Sequence, residues 1–308
     1  SWLVRDYAPV RCSMLHAPRI ISLLPSATEI ICALGLADLL VAVTHECDYP
    51  SVVLGKPQIT RSRLRPDMSS GEIDAAVRDQ LASNAHSLYT IDRELLAELK
   101  PDLVLAQQLC AVCAVDMEDV LDAIRDLPHI PEVINLEPVS LNDMLGDIEM
   151  LGEATNHLKA SRTLVTSLEA RIEQVRKAAT WAGEQPRVAF LEWIDPLFCG
   201  GHWNPELVRL AGGDDPLGRE GQPAEQIEWE QVRAFAPEVM VISCCGFSAE
   251  RTRQDLPVLA AMPGYGDLPC VRNERVHVVD GSAYFSRPGP RLVDSLELLA
   301  AFLHPVPY

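Results

Sequence analysis

No stretch of this chain approaches the 18 or so consecutive apolar residues that a membrane-spanning helix needs, so direct insertion into a bilayer is not expected. The first twenty residues also lack a hydrophobic segment of the secretory kind. Basic residues are scarce: Lys and Arg total 26 against 44 Asp and Glu, a formal charge of −18. That balance argues against nucleic acid or an anionic membrane surface as a partner. Two catalytic signatures are missing, the G-x-S-x-G nucleophile elbow and the phosphate-binding glycine loop. Gly35 and the Gly212-Gly213 pair follow helical patterns, where glycine acts as a stop. There is no low-complexity segment, and the only obvious long loop is 213–222.

What is present is ordinary for a globular protein, 48% apolar and 23% charged. Its 308 residues allow two domains, each able to bury a core. Nine cysteines cannot all pair within one chain, which points to buried thiols in a reducing compartment. With no signal segment in view, the expected location is cytoplasmic. Met14 stands just ahead of the first strand, so residues 1–13 read as a leader or an added segment.

The chain is organised around Ser140 to Trp181, which has no proline and repeats apolar residues at helical spacing. Leu141, Leu145, Ile148 and Leu151 form one stripe; Leu164, Leu168, Ile172 and Val175 form the next. Ser140 is placed to cap the start, with Asp143 in the first turn. Thr155-Asn156-His157 is the weak point, because Asn tolerates the left-handed conformation that ends helices. The spacing therefore predicts two helices, the second from about 158 to 181. That second helix would link two α/β lobes, residues 18–139 and 182–308.

Each lobe reads as strands alternating with helices. Arg19 to Leu24 is a buried strand, Ser26-Ala-Thr-Glu29 a capping box opening a helix over 27–34, and Leu39 to Val43 the next strand. The second half repeats the first: Pro101 and Pro237 lie 136 positions apart (237 − 101), and so do Glu94 and Glu230 (230 − 94). The expected fold is two Rossmann-like lobes, each with a mainly parallel sheet flanked by helices, joined by one long rigid helix.

Ligands of open parallel sheets bind beyond the carboxyl ends of the strands. Those ends in the first lobe offer Pro25, Ser26, His45, Glu46, Tyr49, Arg61, Arg63 and Gln107. In the second they offer Glu192, Trp193, Phe198, His202, Trp203, Phe247, Tyr284, Phe285 and Arg287. A cleft between lobes would then be lined by both sets. The concentration of aromatics on the second lobe suits a large, flat, partly apolar ligand, with about half of them expected to be core residues instead. The arginines could anchor a phosphate or carboxylate by forked hydrogen bonds, or pair with the protein's own acids. A competing pattern is His45-x-Cys47, Cys110-x-x-Cys113, Cys199-x-x-His202 and Cys244-Cys245. Each follows a predicted strand with spacing suited to zinc or iron, so Cys47, Cys110, Cys113, Cys199, His202 and Cys244 are candidate metal ligands.

The chain resembles the substrate-binding proteins of ABC transporters for cobalamin and iron-siderophores. RIISLLPSATEIICALGL at 19–36, LKPDLVLA at 99–106, the linking helix and VHVVDGSAYFSRPGPRLVDSLELLA at 276–300 carry the likeness. THECDYP, ITRSR, QLCAVCAV, LEWIDPLFCGGHW and GREGQP make it most similar to the cobalamin-binding branch. The resemblance implies a monomeric binding protein without catalysis, holding cobalamin or another corrinoid by aromatic and apolar contacts; Tyr49, Trp193, Trp203, Phe247 and Tyr284 stand in such places. It also implies that Glu94 and Glu230 engage the transporter's membrane subunits, and it makes a periplasmic or cell-surface location the alternative to the cytoplasm. A protein staying in the cytoplasm would be a corrinoid carrier, with His45 and His202 as possible cobalt ligands. The other readings are a zinc or iron-sulfur protein using the Cys/His set, and an iron-siderophore or haem binder.

Overall fold

The computed structural model describes residues 17–65, 68–83, 88–107 and 117–305, with the side chains of 80–83 left aside. The described strands are β1 (Ile20–Ser22), β2 (Leu40–Ala42), β3 (Thr60–Ser62), β4 (Tyr89–Ile91), β5 (Leu103–Ala106), β6 (Glu132–Asn135), β7 (Val188–Trp193), β8 (Phe198–Cys199), β9 (Gly201–His202), β10 (Arg219–Glu220), β11 (Val239–Ile242) and β12 (Val276–Val278). The α-helices are α1 (Pro25–Ala33), α2 (Ser70–Ser83), α3 (Arg93–Leu99), α4 (Met117–Arg125), α5 (Leu141–Ala154), α6 (Leu158–Ala182), α7 (Asn204–Leu210), α8 (Trp229–Phe235), α9 (Ala249–Ala260), α10 (Pro269–Arg272) and α11 (Leu292–Leu303). The chain forms two compact units. The first takes the chain up to Met68, Ala75–Pro138 and Leu145–Val165; the second takes Ser69–Asp74, Val139–Met144 and everything from Thr166 on. The division thus falls inside α2, α5 and α6, not only inside the last.

The first unit is built on a sheet of order β2-β1-β5-β6, parallel throughout. Ile21, Ala42, Val104 and Val133 from its strands join Leu96, Val120 and Ile124 from helices in one core. The second unit has order β12-β11-β7-β8, in which only β8 runs antiparallel. Its core gathers Ala189, Leu191, Met240 and Ile242 with Val232, Leu259 and Cys270. The fold is α/β in both units, as the alternating pattern predicts.

The internal repeat is exact over one segment. Helices α3 and α8 are offset by 136 residues at both ends (229 − 93, 235 − 99), and so are strands β5 and β11 (239 − 103, 242 − 106). Asp92 caps α3 by accepting from the Leu95 amide at 3.0 Å, and Glu228 caps α8 in a box with Gln231. Both helices end on a left-handed residue, Lys100 (φ 45°) and Ala236 (φ 50°), each followed by proline. A proline cannot continue the helix, and the left-handed turn redirects the chain into the strand.

Two local expectations need correction. Helix α1 begins at Pro25, with Leu24 at the cap and no side-chain capping bond, so Ser26 lies inside the first turn. Proline at the first helical position has a preset φ and no amide to leave unpaired, and this displaces the serine cap. Strand β3 is not in the parallel sheet; it pairs antiparallel with β4 as a separate ribbon.

Helix α5 starts as the pattern predicts, the Ser140 hydroxyl accepting from the Asp143 amide at 3.1 Å. It stops before Asn156, which is left-handed at φ 60°. Helix α6 then runs for 25 residues, about 37 Å at 1.5 Å per residue. Its buried positions Ser161, Val165, Leu168, Val175 and Ala179 are spaced by four, three, seven and four residues, one or two helical turns each, which makes one face. Gly152 of α5 approaches Ser161 too closely for any side chain, so the two helices touch backbone to side chain there. In the second unit Arg171 on α6 forks onto Glu297 of α11 at 2.8 and 2.6 Å and also reaches Asp294. These bonds hold the Arg171 guanidinium protonated and well above its usual range.

Candidate functional site

In the first unit the carboxyl ends of β1 and β2 carry Pro25, Ser26, His45 and Glu46. Ser26 is buried, and Pro25, His45 and Glu46 are half-buried. His45 is held firmly. Its backbone amide donates to Thr60 Oγ1 at 3.2 Å, and its Nδ1 lies 2.8 Å from the same oxygen. The ring packs at a tilt on Tyr89, centroids 5.5 Å apart. Tyr49 is 46% exposed, followed by exposed Val52 and Leu54, so apolar surface lies open on this segment. Arg61 and Arg63 are exposed on the β3–β4 ribbon, and Gln107 is half-buried just after β5. Cys110 and Cys113 lie outside the described residues.

In the second unit Trp193 ends β7 with its indole on Phe247, centroids 4.8 Å apart, and its Nε1 donates to the Asp195 carbonyl at 3.0 Å. Arg251 covers Phe247, 4.3 Å from the ring centre. Trp193, Phe198, His202 and Tyr284 are half-buried. Trp203 is 5% exposed and donates Nε1 to the Phe285 carbonyl at 2.8 Å, while Phe285 is fully buried edge-on to Phe190. Trp203 and Phe285 are therefore core, and Arg287 is also buried. Phe247 is nearly so. Glu192, expected at the ligand, has one carboxylate oxygen accepting from the Gly201 amide and from Asn204 Nδ2, both at 2.7 Å. It fastens β9 and α7 to β7, which is a structural task. Gly281 sits against the Cys244 carbonyl with no room for a Cβ, so this backbone crossing requires glycine.

Among the described residues no group of three His, Cys, Asp or Glu could hold a metal ion. Cys47 Sγ instead contacts Thr28 Oγ1 at 3.1 Å. Burial pushes the Cys244 thiol up to about 12 and raises Cys199 as well. The described residues of the Cys/His set are thus not gathered into a metal-holding group.

The sequence reading missed Asp215. Both carboxylate oxygens are buried, with no backbone amide meeting them in close hydrogen-bond geometry, while the residue as a whole is half-buried. Burial pushes the carboxyl up to about 7, against smaller opposing effects from the amides of Phe190, Gly218 and Leu217. An acid in a glycine-rich loop reads as solvated, so nothing in the sequence marks it. His202, at φ 50°, is held below the usual imidazole range by burial.

The family described as "Periplasmic binding protein" matches residues 20–283. The chain belongs to that family. Its members are binding proteins and not enzymes, which agrees with the absence of catalytic signatures. The chain is 27% identical over 290 residues to a vitamin B12-binding protein of Vibrio cholerae serotype O1, covering 93% of this chain and 89% of that relative. Among solved structures it is similar to the periplasmic vitamin B12 binding protein BtuF of Vibrio cholerae: TM-score 0.66, 24% identity, 93% of this chain and 96% of that one. It is also similar to the periplasmic heme-binding protein RhuT from Roseiflexus sp. RS-1: TM-score 0.68, 23% identity, 93% of this chain and 98% of that one. These likenesses support the fold in both units. They lend nothing to the cytoplasmic expectation, since the family and both solved proteins are described as periplasmic. No described helix is long and apolar enough to cross a membrane.

Proposed function

We propose that the protein binds cobalamin or a related corrinoid as the substrate-binding component of an ABC uptake system, working in the periplasm or at the cell surface. The observation that carries this is the likeness to a protein named for vitamin B12 binding, which runs over 93% of the chain. The site chemistry agrees with it. Tyr49, Trp193 and Tyr284 present partly exposed aromatic surface at strand ends, and flat rings suit a broad macrocycle better than an ion or a sugar. A haem or iron-siderophore ligand is the second reading, favoured by the likeness to the heme-binding RhuT.

A thermal-melt panel separates the two. Cyanocobalamin at a hundred times its dissociation constant stabilises the folded state by about 2.7 kcal/mol. That corresponds to a rise of roughly 4 °C for a chain of this length. The corrinoid absorption bands should shift in parallel. A rise with haemin or a ferric hydroxamate, and none with cyanocobalamin, would overturn the corrinoid reading. Within the site, Trp193→Ala should weaken cyanocobalamin binding by at least about tenfold, the effect of losing roughly 1.4 kcal/mol of contact. Titration calorimetry checks this; unchanged affinity would remove Trp193 from the ligand surface.

A further inference from the structure

We propose that Asp280 is a positioning residue for the ligand site, its cap on the turn Gly281–Phe285 holding Tyr284 at the sheet end that also carries Trp193 and Phe247. The proposal rests on the reading of Tyr284 as ligand surface and goes beyond it, to the residue that sets where that ring stands.

Strands β12, β11 and β7 are neighbours in the second unit's sheet and run parallel. Their carboxyl ends lead to Tyr284, Phe247 and Trp193 respectively, so the three aromatics belong to one edge. The chain leaving β12 does not make an ordinary helical turn. The Ser286 amide donates to the Gly281 carbonyl at 3.1 Å, five residues back. Such π-type turns are rare, occur mostly singly and are frequent at functional sites. Asp280 closes the open end of this one. Its Oδ1 accepts from the Ala283 amide at 2.7 Å, and its carbonyl accepts from the Tyr284 amide at 3.2 Å.

The same turn is fastened to the loop after β11. The Phe247 carbonyl accepts from the amides of Gly281 at 2.9 Å and Ser282 at 3.3 Å. Gly281 lies against the Cys244 carbonyl, where no Cβ fits. At the far end the Phe285 carbonyl accepts from Trp203 Nε1 at 2.8 Å. Two consecutive aromatics are thereby divided: Phe285 enters the core completely, whereas Tyr284 stays half-buried. A ring held in place before the ligand arrives loses less freedom on binding, which raises affinity. Removing the Asp280 side chain takes the acceptor from the Ala283 amide and leaves the bonds to Phe247 and Trp203 in place. The turn stays attached to the sheet, and Tyr284 loosens.

The test uses the full chain, with cyanocobalamin, haemin and a ferric hydroxamate as probes and titration calorimetry on whichever of them the parent binds. Asp280→Ala should bind about tenfold more weakly, the scale of one lost aromatic contact, while melting within a few degrees of the parent. Asp280→Asn keeps a capping oxygen and should bind within about twofold of the parent. Tyr284→Ala should also lose about tenfold. The double variant Asp280→Ala, Tyr284→Ala should then bind no more weakly than Tyr284→Ala alone, because Asp280 acts only through that ring. Without ligand, hydrogen exchange should quicken over 281–286 in Asp280→Ala and return to the parent rate in Asp280→Asn. Parent-like affinity of Asp280→Ala, losses that multiply in the double variant, or equal losses in Asp280→Ala and Asp280→Asn would each overturn the positioning role and leave the functional reading standing. Unchanged affinity of Tyr284→Ala would overturn it without recourse to Asp280. A parent that binds none of the three probes overturns the functional reading, and the proposal with it.

Discussion

Replacing Glu94 and Glu230 together with alanine is expected to leave ligand affinity within about twofold and to cut uptake by at least about tenfold, the scale of losing charge pairs across a docked interface. The reasoning begins with position. Glu94 is the second residue of α3 and Glu230 the second of α8, and the two helices occupy equivalent places 136 residues apart. Both glutamates are exposed. Each unit therefore presents one carboxylate at the start of a short capped helix, on the same structural support. Their value to the fold is small, since a charge at a helix N-terminus contributes under about 1 kcal/mol. Glu230 also meets Arg233 one turn on, a solvent-exposed pair of little weight. Two exposed acids with little structural task are suited to basic pockets on membrane subunits. Radiolabelled uptake in cells lacking the parental copy, beside calorimetry on the purified variant, reads both quantities. Undiminished uptake would end the docking role. A large loss of ligand affinity would instead move the glutamates to the ligand site.

That repeat was legible because it is written in residues with strong backbone consequences. Lys100-Pro101 and Ala236-Pro237 stop two helices in the same way, and the apolar strands that follow have no other place than a sheet interior. The break between α5 and α6 was legible for a similar reason, since Asn156 is among the few residue types that adopt positive φ at low cost. The site was less legible. Trp203 and Phe285 sit at strand ends in sequence, yet Trp203 turns inward because the Phe285 carbonyl can satisfy its indole N–H. Glu192 looks like an anchor for a ligand until Gly201 and Asn204 claim its oxygen. Periodicity says which face of an element is buried. It does not say which polar partner will be waiting for a side chain at the element's end.

Asp215 shows the same limit and gives a pH dependence that sequence could not suggest. Its carboxyl moves from an ordinary 3.8 to about 7 because burial penalises the charged form. Between those values the folded protein holds a proton that the unfolded chain has released. Stability must then fall as pH rises from about 4 to about 7, and level off above that. The full loss is on the order of 4 kcal/mol, three units at 1.36 kcal/mol each. His202 and His277 act in the opposite sense: both are held below 6.5 by burial, so they add stability that is lost as pH falls through their range. The measured curve mixes the two slopes. The difference between the parent and Asp215→Asn isolates the carboxyl, because the histidines remain in both. The variant should melt about 5–10 °C higher than the parent at pH 8, with the gap closing toward pH 5. Differential scanning calorimetry across that range decides it. Parallel curves would mean that the Asp215 carboxylate finds solvent or a partner in the folded protein.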